Sequence, residues 1–145
     1  MISVKRAKGK KMAIRNEVKY FTKDERERFT KTVEQAGNTR DRVMFKLFFY
    51  TGMRISELNS LTVGKVKEGL SYEKLIITGK GNKTRTIPLV NGIKNELQGF
   101  LSSKQGNGES IHPNSPVFCN YKGKRISNRA IQQKVKQYCV KAGVR

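Results

Sequence analysis

The stretch "KLIITGKGNKTRTIPL", residues 74–89, decides between an all-helical chain and one that carries a sheet. Two runs rich in β-branched residues, 74–78 and 83–89, flank Gly79-Lys80-Gly81-Asn82, whose small residues suit a tight reversal, so the pattern predicts a β-hairpin. Pro88 cannot donate to a ladder, so the second run lies at an edge or ends there. Most of the chain around this hairpin reads as helix. The fold class expected is α+β: a mainly helical domain with a small antiparallel hairpin or three-stranded sheet.

Upstream, Ile55, Leu58 and Leu61 recur at helical spacing and predict a short helix over about 54–61. Before it, Val43, Met44, Leu47, Phe48 and Thr51 form a core-facing stripe, with Thr39 as the expected cap and Gly52 as the stop. Thr22 followed by Glu25 forms a capping box that opens a first helix, which fades near Gly37. Between the short helix and the hairpin, Gly64 to Gly69 reads as a turn or short strand. Downstream, Ile93, Leu97, Phe100 and Leu101 mark a further helix, and "SSKQGNGESIHPNSP", 102–116, reads as a flexible loop containing His112 in a turn. Ser127 caps a last helix with Ile131, Val135, Tyr138 and Cys139 inward, ended by Gly143. Residues 1–20 read as a basic linker or arm, and 21–145 as the folded part.

The chain has 145 residues, enough for one compact domain with a real core, and 36% of them are hydrophobic. Thirty-one Lys and Arg against 11 Asp and Glu leave a formal charge of +20. Such an excess points to a polyanionic partner, and nucleic acid leads because regularly spaced phosphates release counterions when a basic face neutralises them. No segment approaches about 18 consecutive apolar residues and no signal-peptide pattern opens the chain, so a cytoplasmic or nucleoid-associated protein without a membrane partner is expected. Cys119 and Cys139 lack zinc-ligand spacing and read as reduced fillers, and the single histidine supports no Ser/His/Asp triad. Within the arm, Lys10 and Lys11 belong to a run of cations that either trails in solvent or tracks a phosphate backbone.

The glycine-rich tip is not a nucleotide loop. A Walker A sequence needs Gly-Lys-[Ser/Thr] at its end, and here Asn82 stands before Lys83; a dinucleotide fingerprint also fails, since no third glycine opens a helix. What remains is either a solvated turn or a tip that lets Lys80 and Lys83 approach another backbone closely. Arg54 and Glu57 share one helical face, three residues apart. They form either a surface ion pair or a fork held in one rotamer by a carboxylate, its remaining N–H groups facing an anion near a helix start.

Taken together, "TGMRISELNSLTVGKV" and "LIITGKGNKTRTIPL" closely resemble the catalytic domain of the tyrosine recombinase (phage integrase) family, with its TGLR-x-SEL-x-x-L segment followed by a G-K-G-x-K-x-R-x-x-P-L hairpin. "VFCNYKGKRISNRAIQQKVKQYCVKAGV" is similar to the strand and helix that come next, so the resemblance covers about 20–145. It implies that Arg54 binds the scissile phosphate, that Glu57 buttresses it, and that Lys80 protonates the leaving 5′ oxygen. Lys83, Arg85, Lys10 and Lys11 are then expected to contact neighbouring phosphates of double-stranded DNA. It further implies strand exchange through a 3′-phosphotyrosine without metal or nucleotide cofactor, and possible self-association on DNA. The family's H-x-x-R motif, a further His or Trp and the tyrosine nucleophile are expected beyond residue 145, and a DNA-binding domain upstream of the arm. His112 does not supply the H-x-x-R, because Ser115 holds the arginine position. The first two-thirds of a catalytic domain, able to bind DNA but not to cleave it, is the reading that results. The alternatives are a non-catalytic DNA-binding module or regulatory relic, and a basic RNA-binding protein, which explains the charge but not Arg54-Glu57 together with the hairpin.

Overall fold

The element order follows from where the chain can cap, stop and reverse. A computed structural model describes residues 21–144. It contains α1 (Lys23–Ala36), α2 (Thr39–Thr51), α3 (Ile55–Ser60), α4 (Val63–Tyr72), β1 (Lys74–Thr78), a 3₁₀ turn (Lys80–Asn82), β2 (Thr84–Pro88), α5 (Asn91–Gly106) and α6 (Asn128–Ala142). The expected Lys10 and Lys11 contacts and the arm that carries them lie outside the described residues.

Two units make up the described chain. In the first, α1 packs against α6. The Thr22 hydroxyl accepts the Glu25 N–H and the Glu25 carboxylate accepts the Thr22 N–H, both at 3.0 Å, which completes the capping box. Ser127 caps α6 by accepting the Ala130 N–H at 3.0 Å. Phe29 and Val33 of α1 are buried, as are Ile131, Val135 and Tyr138 of α6, and the Phe29 and Tyr138 rings meet edge to face at 6.0 Å. The Arg28 guanidinium donates to the carbonyls of Ala142 and Gly143, so it closes the C-terminal end of α6 where orphan carbonyls accumulate.

The second unit, 39–126, holds the remaining elements around Met44, Leu47, Phe48, Met53, Leu58, Leu75, Leu97 and Phe118, all fully buried. The sheet has two antiparallel strands, with Leu75 opposite Ile87 and Ile77 opposite Arg85. A third strand is not added to it among the described residues; the segment after α5 turns back on itself through a bridge between Cys119 and Arg125. That segment is tied to α2 by Arg40, which donates to the fully buried Asp41 carboxylate at 2.7 and 2.9 Å and to the Cys119 carbonyl at 2.9 Å.

Three expectations change. Residues 64–69 are helix, not turn or strand: Thr62 caps α4 by accepting the Lys65 N–H at 3.2 Å, and Val63 and Val66 are buried one turn apart. The two glycines that suggested a turn serve close packing. A Cβ on Gly64 would lie 2.9 Å from the Pro113 carbonyl oxygen, and one on Gly69 would lie 3.2 Å from Leu75 Cδ1. Thr39 is the first residue of α2 rather than its cap, a one-residue displacement of a helix end. The helix α5 runs on through 102–106, because the Lys104 stem is buried and its ammonium reaches Glu109 at 3.0 Å and the Cys119 sulfur at 3.7 Å.

Candidate functional site

Arg54 stands where α2 has stopped and α3 begins. Gly52 ends α2 with φ +69, a left-handed conformation that glycine adopts without strain, and its N–H donates to the Phe48 carbonyl at 2.9 Å. The next residue, Met53, is fully buried, and so nearly is Ile55 on the other side of Arg54. Two buried neighbours therefore pin the Arg54 main chain while its side chain stands exposed at the N-cap of α3. No hydrogen bond or ion pair occupies its guanidinium among the described residues.

Glu57 sits one turn into α3 and is 8% exposed. Its Oε1 accepts the Arg54 main-chain N–H at 2.8 Å, which is one half of a capping box; arginine has no acceptor to supply the other half. The same carboxylate accepts from the Arg85 guanidinium, Nη2 to Oε1 at 3.1 Å and Nη1 to Oε2 at 3.5 Å. Thus Glu57 holds the backbone of Arg54 rather than its fork, and the guanidinium it does hold comes from β2. Burial works to raise the Glu57 pKa, but the Arg54 N–H, the Arg85 hydrogen bonds and the positive charges of Arg85 and Arg54 outweigh it. The carboxyl is held below the usual range.

The hairpin tip meets this carboxylate closely. A Cβ on Gly79 would fall 2.5 Å from Glu57 Oε2, so a larger residue at the entry to the tip would have to displace that carboxylate. Gly79 donates to the Lys83 carbonyl at 2.7 Å, closing the turn, and Gly81 and Asn82 take left-handed φ values of +72 and +57. Lys80 and Lys83 are both exposed on this turn. Arg54, Glu57, Arg85 and the tip bearing Lys80 and Lys83 are therefore gathered around one buried carboxylate. Among the described residues no group of three His, Cys, Asp or Glu side chains could hold a metal ion, and no helix is long and apolar enough to cross a membrane.

The Arg85 to Glu57 link is the feature that sequence reasoning missed. A signal for it existed. Strand pairing puts Arg85 on the same face as Ile77, its buried cross-strand partner, and a half-exposed guanidinium on that face is well matched by a carboxylate. The sequence contains that acid at Glu57, but only the fold shows that α3 lies beneath the hairpin.

Comparison with known proteins bears on the family and the fold. A tyrosine recombinase XerC from Herpetosiphon aurantiacus is 31% identical over 105 residues, 72% of this chain and 34% of that protein. Among solved structures, the XerA recombinase superposes with a TM-score of 0.71 at 22% identity, covering 87% of this chain and 44% of that one. XerH site-specific recombinase bound to a palindromic difH substrate in a post-cleavage complex superposes with a TM-score of 0.68 at 22% identity, covering 88% of this chain and 36% of that one. The chain thus spans about a third of the length of the curated relative, 34%, and its helices and small sheet have the tyrosine recombinase catalytic-domain fold. The sequence profile of the phage integrase family matches residues 19–145, and the chain belongs to that family.

Proposed function

We propose that residues 1–145 form the phosphate-gripping part of a site-specific DNA recombinase that breaks and rejoins DNA through a 3′-phosphotyrosine. The observation that carries this reading is the exposed Arg54 fork on a main chain locked by Glu57, beside a hairpin tip that presents Lys80. In the reaction, a tyrosine oxygen from a further segment attacks the scissile phosphorus and the bond to the 5′ oxygen breaks. Arg54 places two parallel N–H groups on the non-bridging oxygens, where negative charge builds up, and a preorganised donor is most effective there. Lys80 gives its proton to the departing 5′ oxygen. Lys83, Arg85, Lys10 and Lys11 neutralise neighbouring phosphates of the duplex. An upstream DNA-binding domain and a second copy on the DNA complete the working assembly, which acts on nucleoid DNA in the cytoplasm.

By itself this stretch binds duplex DNA and does not cleave it, since neither the H-x-x-R motif nor the nucleophile falls within it. Titration of a short duplex at several salt concentrations should show weak binding with little sequence preference, falling steeply as salt rises. Affinity that hardly changes with salt contradicts a phosphate-driven contact. A nicked suicide substrate should yield no covalent product, and a denaturant-resistant adduct on any of the chain's own tyrosines would overturn the non-cleaving role.

A further inference from the structure

Glu57 has two clients, and they come from different elements. One is the main-chain N–H of Arg54 at the start of α3, 2.8 Å from Oε1; the other is the guanidinium of Arg85 on β2, with Nη2 3.1 Å from the same oxygen. The tip is pressed against the second oxygen, since the space a Cβ would need at Gly79 is already filled by Oε2. A nearly buried carboxylate with one partner removed would be left undercompensated, so each client depends on the other being in place. Meanwhile Arg85 is tied in register to the buried Ile77, which fixes its reach across the sheet.

From this arrangement we propose that Arg85 is a positioning residue: by sharing Glu57 with the main chain of Arg54, it sets the hairpin tip that bears Lys80 against the helix end that bears Arg54. This rests on the roles given above to Arg54 and Lys80. Arg85 can still lend its outward N–H groups to a phosphate, because its side chain is 44% exposed, but its fork is already committed at one end. The coupling is therefore a property of the protein before any ligand arrives.

The test uses the whole chain and amide NMR. The Arg54 N–H reports the ionisation of Glu57 directly, and the Gly79 N–H reports closure of the tip. In Arg85→Gln the pH midpoint sensed at Arg54 should rise by about one unit, because a neighbouring positive charge is lost while burial remains. Hydrogen exchange at Gly79 should accelerate by about tenfold, the loss expected for a charge-assisted hydrogen bond. Arg85→Lys keeps the charge but not the fork, so it should restore most of the midpoint and leave exchange fast. Amides of Leu97, in the same unit, serve as a folding control and should not change. An unaltered Arg54 midpoint and Gly79 exchange in Arg85→Gln overturns the proposal, as does full restoration of both by Arg85→Lys. Adding a short duplex separates the two readings: failure to shift the Arg54 and Lys80 amides would sink the DNA role while leaving the coupling intact.

Discussion

At the scale of single residues, the site depends on a carboxylate that stays ionised in a nearly closed setting. The Glu57 pKa lies below its ordinary value of 4.5, with burial opposed by the Arg54 N–H and by Arg85. A carboxyl depressed in the folded state stabilises the fold above its unfolded pKa, and that contribution disappears as pH falls through the folded pKa. Glu96 behaves in the same direction, first through Lys46, against burial, and then through Arg42. Urea unfolding should therefore find Glu57→Gln less stable than the parent by about 1–3 kcal/mol near pH 7, with the difference shrinking as pH falls below the ordinary carboxyl value of 4.5 toward the lowered folded value. A difference that stays constant over that range would mean that the Glu57 charge contributes nothing to the fold. In the sequence Arg54 stands out at a helix junction, Lys80 between two glycines, and Glu57 by its place three residues from Arg54 on one helical face; their roles remain those of the proposed function. Which side chain Glu57 would hold was not legible, because helical spacing speaks only of partners on the same helix, and Arg85 arrives from β2.

At the scale of elements, caps and stripes located nearly every helix, while glycine misled. Thr22, Ser127 and Gly52 mark their helix ends as read, and the hairpin register follows from alternation around a short glycine turn. Residues 64–69 read as a turn or short strand because glycines bound them, whereas in the fold Gly64 and Gly69 admit a neighbouring backbone and a leucine within a helix. That distinction can be measured. Gly99 lies inside α5 with nothing within 4 Å of an added Cβ, so Gly99→Ala should stabilise the protein by about 0.5–1 kcal/mol. Gly64→Ala gains the same propensity but meets the Pro113 carbonyl oxygen at 2.9 Å, and should instead destabilise by about 1–3 kcal/mol. Chemical denaturation of the two variants checks this, and equal stabilisation of both would show that α4 is not packed on the 113–115 turn.

At the scale of the whole molecule, net charge raises the expectation of a polyanionic partner but says nothing of how the chain divides. The α1 and α6 helices join although the whole of 37–127 lies between them, with the Arg28 bond to Ala142 spanning a separation of 114 positions, and no local pattern carries such a pairing. A charge of +20 alone would suit any phosphate-binding surface. On the proposed function, a phosphate-processing site is distinguished by Arg54 and Lys80 doing different chemistry. The decisive measurement is strand cleavage by residues 1–145 joined to a C-terminal segment carrying H-x-x-R and the tyrosine, on DNA with oxygen or sulfur at the 5′ bridging position. With oxygen, Lys80→Ala should slow cleavage by about 10²- to 10⁴-fold for want of a proton donor, and both Arg54→Ala and Arg54→Lys should be severely impaired. With sulfur, whose thiolate leaves without a proton, Lys80→Ala should recover nearly the parent rate while the Arg54 variants stay slow. Lys80→Ala unrescued by sulfur, Lys83→Ala rescued in its place, or Arg54→Lys cleaving at the parent rate would contradict the account.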